Sequence, residues 1–282
     1  MTRGQSTTLV IAKPTNKIVR ALRWTRLLLH VVQGLLMTGL VFPRVSPHIR
    51  ALLTQAWAAK LLRILNIVLS VHGARPSETH EKLFVVANHV SWLDIFVINA
   101  SAPSRFVAKS EIRDWPVVGW LAEAGGTIFV RRTKRSDTSR INGEIAEALA
   151  QGDTVAIFPE GTTTAGDRLL KFHTSLFEPA VLNKASVSPA AICYRDETGV
   201  PAAAAIFIGE TTFTESIAAI IGKRKLIAEI TFARSIAAAA LSRREVAEAA
   251  ENAIAAILNV PKPHAHQRFD EGATALALQA SV

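Results

Sequence analysis

Two kinds of hydrophobic pattern divide the chain. In its first quarter the apolar residues come in long runs: Leu27 to Phe42 reads LLLHVVQGLLMTGLVF without a charge, follows Arg20, Arg23 and Arg26, and is closed by Pro43 and Arg44. Those 16 residues are fewer than the roughly 20 that cross a bilayer as a straight helix, so the pattern fits a shallow or partly inserted helix at least as well as a span. Ala51 to Val71 comes next, with Leu52, Leu61, Leu62, Leu65 and Leu69 interleaved with Lys60 and Arg63, as on an interfacial helix. The expectation is a basic, membrane-binding helix pair over residues 1–77.

From Lys82 the pattern shortens to β-branched runs separated by helical periodicity, which predicts an α/β fold with a mostly parallel central sheet flanked by helices. The expected strands are Leu83–Ala87, Phe106–Ala108, Thr127–Arg131, Thr154–Phe158, Val187–Tyr194, Ala204–Ile208 and Ile227–Phe232. Several are apolar throughout, as strands covered on both faces are. Expected helices are Trp92–Ala100, Asp137–Gln151, Ser175–Lys184, Thr214–Ile221 and Arg243–Leu258, the last opening with a Ser242/Glu245 capping box. This domain is placed at 78–260. Residues 261–282, with Pro261, Pro263 and mixed polarity, read as an irregular tail, and its His264 and His266 as incidental rather than a metal site.

Charge changes the picture once it is located. The net charge is +9, yet residues 1–77 hold eleven Lys and Arg and no acid, while the remainder is near neutral. Basic residues set among long apolar runs fit an anionic membrane surface better than nucleic acid, which would call for stacking aromatics and glycine. Cys193 is the single cysteine, so no intramolecular disulfide forms. No A-x-A-like cleavage site follows Phe42, which argues against a secretory leader.

Candidate chemistry gathers where strands end. The first expected strand runs into Asn88-His89-Val90-Ser91-Trp92-Leu93-Asp94. Ser91 can cap the following helix, which lets His89 in the turn fold back over Asp94 in the first helical turn. A carboxylate on one ring nitrogen fixes the tautomer and leaves the other nitrogen as a proton acceptor, so His89 reads as a base and Asp94 as its orienter. The spacing alone is unspecific, and a helix-capping cluster would show it too. A second cluster, Phe158-Pro159-Glu160-Gly161-Thr162-Thr163, also ends an apolar strand and lifts Glu160 to the same sheet edge. A third, Gly126 to Arg132 (GTIFVRR), delivers Arg131 and Arg132 there, and guanidinium forks suit phosphate or carboxylate head groups. The polar clusters lack the ligand spacing of a metal site, and no G-x-S-x-G elbow seats a serine nucleophile.

Taken in order, NHVSWLD, GTIFVRR, FPEGT and VSPAAICY resemble the four sequence blocks of the glycerolipid acyltransferase family, over about Leu83 to Tyr194. The resemblance implies direct transfer from acyl-CoA or acyl carrier protein to a lysolipid hydroxyl, without an acyl-enzyme and without a cofactor beyond the thioester donor. It implies His89 as base and Asp94 as its holder. It implies Arg132 as the phosphate-binding arginine, with Arg131 beside it, and Glu160, Gly161 and Thr162 at the acceptor site, with Pro189 as the proline of the fourth block. The expected acceptor is 1-acylglycerol-3-phosphate, at the cytoplasmic face of the inner membrane. Two departures bear on the acceptor: Thr163 stands where the family commonly has arginine, and Phe172-His173-Thr174-Ser175 replaces a basic stretch, leaving Lys171 and Arg168 as nearby cations. An acceptor without phosphate, lyso-ornithine lipid, is therefore the alternative. A thioesterase-type hydrolase and a non-catalytic lipid-binding module are the readings from other classes.

Overall fold

The computed structural model describes residues 15–74, 83–130, 135–261 and 263. Helix α1 (Lys17–Leu36) begins where the Asn16 side chain accepts from the Ile18 N–H, and its winding continues through a widened turn (Met37–Val41) and a tight one (Phe42–Arg44). The helical run Lys17–Arg44 thus counts 28 residues at mean hydropathy 1.5, longer than the uncharged core visible in sequence. By length and composition it is able to cross a membrane, yet one side of it is committed to protein.

Leu27, His30 and Gly34 form a buried stripe at helical spacing against α2 (Pro47–Ile64). His30 and Trp57 stack at 4.6 Å and exchange hydrogen bonds of 3.1 Å with each other's backbone carbonyls. Gly34 is required there, because a Cβ would stand 2.9 Å from the Trp57 ring. The expected helix pair therefore forms.

The second helix is shorter than expected. It ends at Ile64, Asn66 takes a left-handed φ of +57°, and β1 (Ile67–Gly73) follows where the sequence pattern continued the helix to Val71. The left-handed asparagine stops the helix, and the β-branched Ile67, Val68 and Val71 then pair with a strand more than 150 residues away in sequence.

The remaining elements are β2 (Leu83–Ala87), α3 (Leu93–Ser101), β3 (Arg105–Lys109), α4 (Val118–Ala124), β4 (Ile128–Val130), α5 (Arg135–Ala150), β5 (Val155–Ile157), α6 (Glu178–Leu182), β6 (Ser186–Asp196), α7 (Phe213–Ile221), β7 (Leu226–Phe232), β8 (Ile236–Ala237) and α8 (Arg243–Leu258). The sheet order is β1-β7-β6-β2-β5-β3-β4, with β8 on the start of β6. Strands β2 to β6 run parallel; β7 is antiparallel to β6 and parallel to β1. The mostly parallel α/β architecture is as expected, with two local corrections. Ala204–Ile208 is not a strand, because β2 and β7 already occupy both sides of β6, and only a short helical turn (Ala203–Ala205) forms. Helix α4 was not foreseen, being short and hidden between Pro116 and Gly125.

Alternate residues of β2 serve the two faces. Val85 and Ala87 pack with Leu61, Val97, Ile192 and Ile220 under α2, α3 and α7, while Phe84 and Val86 pack with Ile145, Phe177 and Ile254 under α5, α6 and α8. With both faces covered, what remains open to chemistry is the edge where the carboxyl ends of β2, β5, β3 and β4 emerge side by side.

Candidate active site

The turn after β2 is built by side chains that stand in for missing strand partners. Asn88 is buried; its amide donates to the Ile192 carbonyl at 2.9 Å and accepts from the Ile192 N–H at 2.7 Å. It thereby carries the β2–β6 pairing one residue past the last strand pair. His89 comes next, partly exposed, and its Nδ1 lies 2.8 Å from Asp94 Oδ2. The same oxygen accepts from the Val90 and Ser91 N–H groups at 2.7 and 2.9 Å, and the Leu93 N–H donates to Ser91 Oγ at 3.3 Å. The start of α3 is thus capped jointly by Ser91 and by Asp94 reaching back.

Asp94 is fully buried and, with these donors around it, is held as an acceptor. His89 therefore carries its proton on Nδ1, and its Nε2 is the nitrogen available to a substrate. The ring lies flat on Phe158 at 4.0 Å and 11°, and Phe158 stacks in turn on Phe106 at 6.0 Å.

Glu160 meets His89 through the main chain. One carboxylate oxygen accepts from the His89 N–H at 2.8 Å and the other from the Leu170 N–H at 2.9 Å. Burial pushes this carboxyl up to about 7, against the two N–H groups that favour its ionised form. With both oxygens engaged, Glu160 pins the loop after β5 onto the His89 turn. Gly161 takes φ +75° and donates to the Phe158 carbonyl at 3.1 Å, a tight left-handed turn that suits glycine. Further stitches are the Thr164 N–H to the His89 carbonyl (2.8 Å) and the Phe207 N–H to the Val90 carbonyl (3.0 Å).

Thr162 is exposed on this loop, and Lys171 is exposed with its charge near Glu251 of α8. Thr163 donates from its hydroxyl to the Phe207 carbonyl at 2.5 Å, so the position held by arginine in the resembled pattern here ties two loops together. Arg131 and Arg132 lie outside the described residues; β4 ends at Val130, on the edge that carries His89. Also along that edge, at the β3–β4 end, a cleft of about 420 Å³ is lined by side chains of both signs, among them Arg113, Arg140, Glu111 and Glu144. Pro189 sits within β6 opposite Val86, and its carbonyl accepts from the Ala233 N–H at 2.8 Å.

Three contributors escaped the sequence reading. Tyr194 donates to Asp94 Oδ1 at 2.6 Å from 100 residues away, Phe158 stacks under the imidazole, and Asn88 fastens the turn. Only the last two carried any local signal, as flanks of the His89 and Glu160 clusters.

A histidine oriented by a buried carboxylate at the rim of a parallel sheet is the apparatus of general-base chemistry, and residues 68–193, which contain it, match the family model described as Acyltransferase. The matched stretch runs from β1 into β6 and so takes in the His89, Asp94 and Glu160 clusters. Over 173 residues it is 42% identical to the lyso-ornithine lipid O-acyltransferase of Pseudomonas aeruginosa, covering 61% of this chain and 65% of that one. Over 140 residues it is 44% identical to the 1-acyl-sn-glycerol-3-phosphate acyltransferase of Neisseria meningitidis, covering 49% of this chain and 54% of that one. The chain thus spans less than two thirds of the length of these relatives. The fold is also that of the 1-acyl-sn-glycerophosphate acyltransferase PlsC of Thermotoga maritima, with a TM-score of 0.65 at 20% identity over 86% of this chain and 95% of that one.

Proposed function

We propose that this protein is an O-acyltransferase that moves a fatty acyl group from acyl-CoA or acyl carrier protein to the free hydroxyl of a membrane lysolipid. The observation that carries the reading is the His89–Asp94 pair, 2.8 Å apart, with the imidazole seated on Phe158 at the sheet rim. His89 Nε2 takes the proton of the acceptor hydroxyl as that oxygen attacks the thioester carbonyl. The carbon–sulfur bond breaks, the thiolate leaves, and the proton on His89 is returned to it. No group of the protein is acylated, and the donor thioester supplies all the activation.

The acceptor is first read as 1-acylglycerol-3-phosphate, giving phosphatidic acid, with Arg131 and Arg132 following β4 as the cations for its phosphate. One observation favours the second reading, lyso-ornithine lipid: Thr163 is spent on the Phe207 carbonyl where a further cation would face a phosphate. The membrane is engaged through α1, whose outer face leaves Ile18, Leu22, Leu29, Val32 and Leu36 exposed. Since its inner stripe is packed on the domain, α1 lies along the bilayer surface, with the basic N-terminal segment facing anionic lipid at the cytoplasmic face of the inner membrane.

The test is an assay of purified protein in vesicles with lysophosphatidic acid and lyso-ornithine lipid in parallel, each with acyl-CoA and acyl carrier protein. Acylated product that disappears in His89→Ala supports the proposal. Turnover by that variant at the normal rate removes the base. Release of free fatty acid without a lysolipid turns the reading to a hydrolase, and an inert protein that still binds vesicles leaves only the lipid-binding role.

A further inference from the structure

Asp94 Oδ2 receives three hydrogen bonds, from His89 Nδ1, the Val90 N–H and the Ser91 N–H, while Oδ1 receives the Tyr194 hydroxyl at 2.6 Å. The distribution is lopsided. A carboxylate offers about four lone-pair sites over its two oxygens, so three donors crowd one oxygen unless something occupies the other. A turn of the carboxylate about its own bond would share the donors more evenly and swing Oδ2 off the line to His89.

We propose that Tyr194 is the positioning residue for the base: its hydroxyl holds the Asp94 carboxylate in the rotation that aims Oδ2 at His89. The inference rests on the reading of His89 as base. Tyr194 is suited to it by placement. It is the single tyrosine of the chain, lies on central strand β6 and is 5% exposed, so its oxygen has a fixed approach to a carboxylate that is itself fully buried. Burial, and then the neighbouring Asp94 charge, push the phenol well above its usual range, so it remains a donor wherever the enzyme operates. Its ring belongs to the same core layer as Val85, Ile192 and Ile230, which phenylalanine can fill equally well. Only the hydroxyl is then at issue.

Tyr194→Phe is expected to lower kcat by about 10- to 100-fold, the scale of one charge-assisted hydrogen bond, with KM for donor and acceptor within about twofold. The downfield proton resonance of the His89–Asp94 hydrogen bond, assigned by its absence in His89→Asn, is expected to weaken or vanish. Tyr194→Phe is expected to cost less in an Asp94→Asn background than in the unaltered protein, because the charge that the tyrosine aims is already gone. An unchanged kcat, an unmoved resonance, or additive losses in the double variant would each overturn the proposal. If the phenylalanine variant fails to fold, growth on 3-fluorotyrosine labels this one side chain, and a fluorine resonance that Asp94→Asn leaves in place overturns it too. Retained activity in His89→Asn removes the base reading itself and the present inference with it, an outcome distinct from failure of the tyrosine variant alone.

Discussion

Replacing Asp94 by asparagine separates the charge of this residue from its shape. The carbonyl oxygen of the amide can sit where Oδ2 sits and still accept from His89 Nδ1, Val90 and Ser91, while the amide nitrogen faces the Tyr194 oxygen, which turns to accept. The folding cost is then small, about 1 kcal/mol. The negative charge that steadies the imidazolium is lost. For charge centres about 4 Å apart at an effective dielectric constant of about 20, the interaction is worth roughly 4 kcal/mol, or about three decades in rate. Alanine is the poorer choice, since it strands several buried donors at about 1–3 kcal/mol each and mixes unfolding with chemistry. The assay is thiol release from acyl-CoA on vesicles containing lysolipid, run beside a urea unfolding curve. A turnover within about tenfold of the unaltered protein, with overlapping unfolding curves, would refute the assignment of Asp94 as the electrostatic partner of the base.

Other expectations follow from Glu160, Gly34 and Thr163. The Glu160 carboxyl titrates near 7 in the folded chain against an ordinary value of 4.5, so its protonated form favours the fold: the contribution is complete below about 4.5 and is lost as pH rises through about 7. The shift corresponds to at most about 3 kcal/mol, and Glu160→Gln is expected to flatten the fall in melting temperature between about pH 4.5 and 7; an unchanged slope assigns it elsewhere. Gly34→Ala would bring a methyl group to 2.9 Å from the Trp57 ring, and the forced shift at the α1–α2 seam is expected to cost about 1–3 kcal/mol in urea unfolding. Thr163→Arg is expected to raise kcat/KM for lysophosphatidic acid relative to lyso-ornithine lipid by about tenfold, measured by competition between the two acceptors.

The fold and part of the site were legible because their determinants are local. His89 and Asp94 lie five positions apart at a strand–helix junction, and the apolar run before Pro159-Glu160-Gly161 marks a strand end, so both clusters could be placed on one edge. What Glu160 does there was not legible, since its two partners are backbone N–H groups, which every sequence possesses. Tyr194 was hidden for another reason: its tie to Asp94 exists only once β6 lies beside β2. Strand β1 was misread because Leu61, Leu65 and Leu69 sustain a helical period past Ile64, and the break depends on one left-handed asparagine. Residues Arg131 and Arg132 were placed by the run GTIFVRR, and the described structure follows that run as far as Val130.

The loop after β5 is attached to the His89 turn through groups that face inward: the buried Glu160 carboxylate, which accepts from the His89 and Leu170 N–H groups, and the Thr164 N–H, which donates to the His89 carbonyl. Such seams are indifferent to which side chains the loop displays outward. Exposed positions such as Thr162, Arg168 and Lys171 can therefore be exchanged by drift or selection while the imidazole keeps its aim. A scaffold jointed in this way can be re-tailored for one polar head after another, with its proton-transfer apparatus passed on untouched.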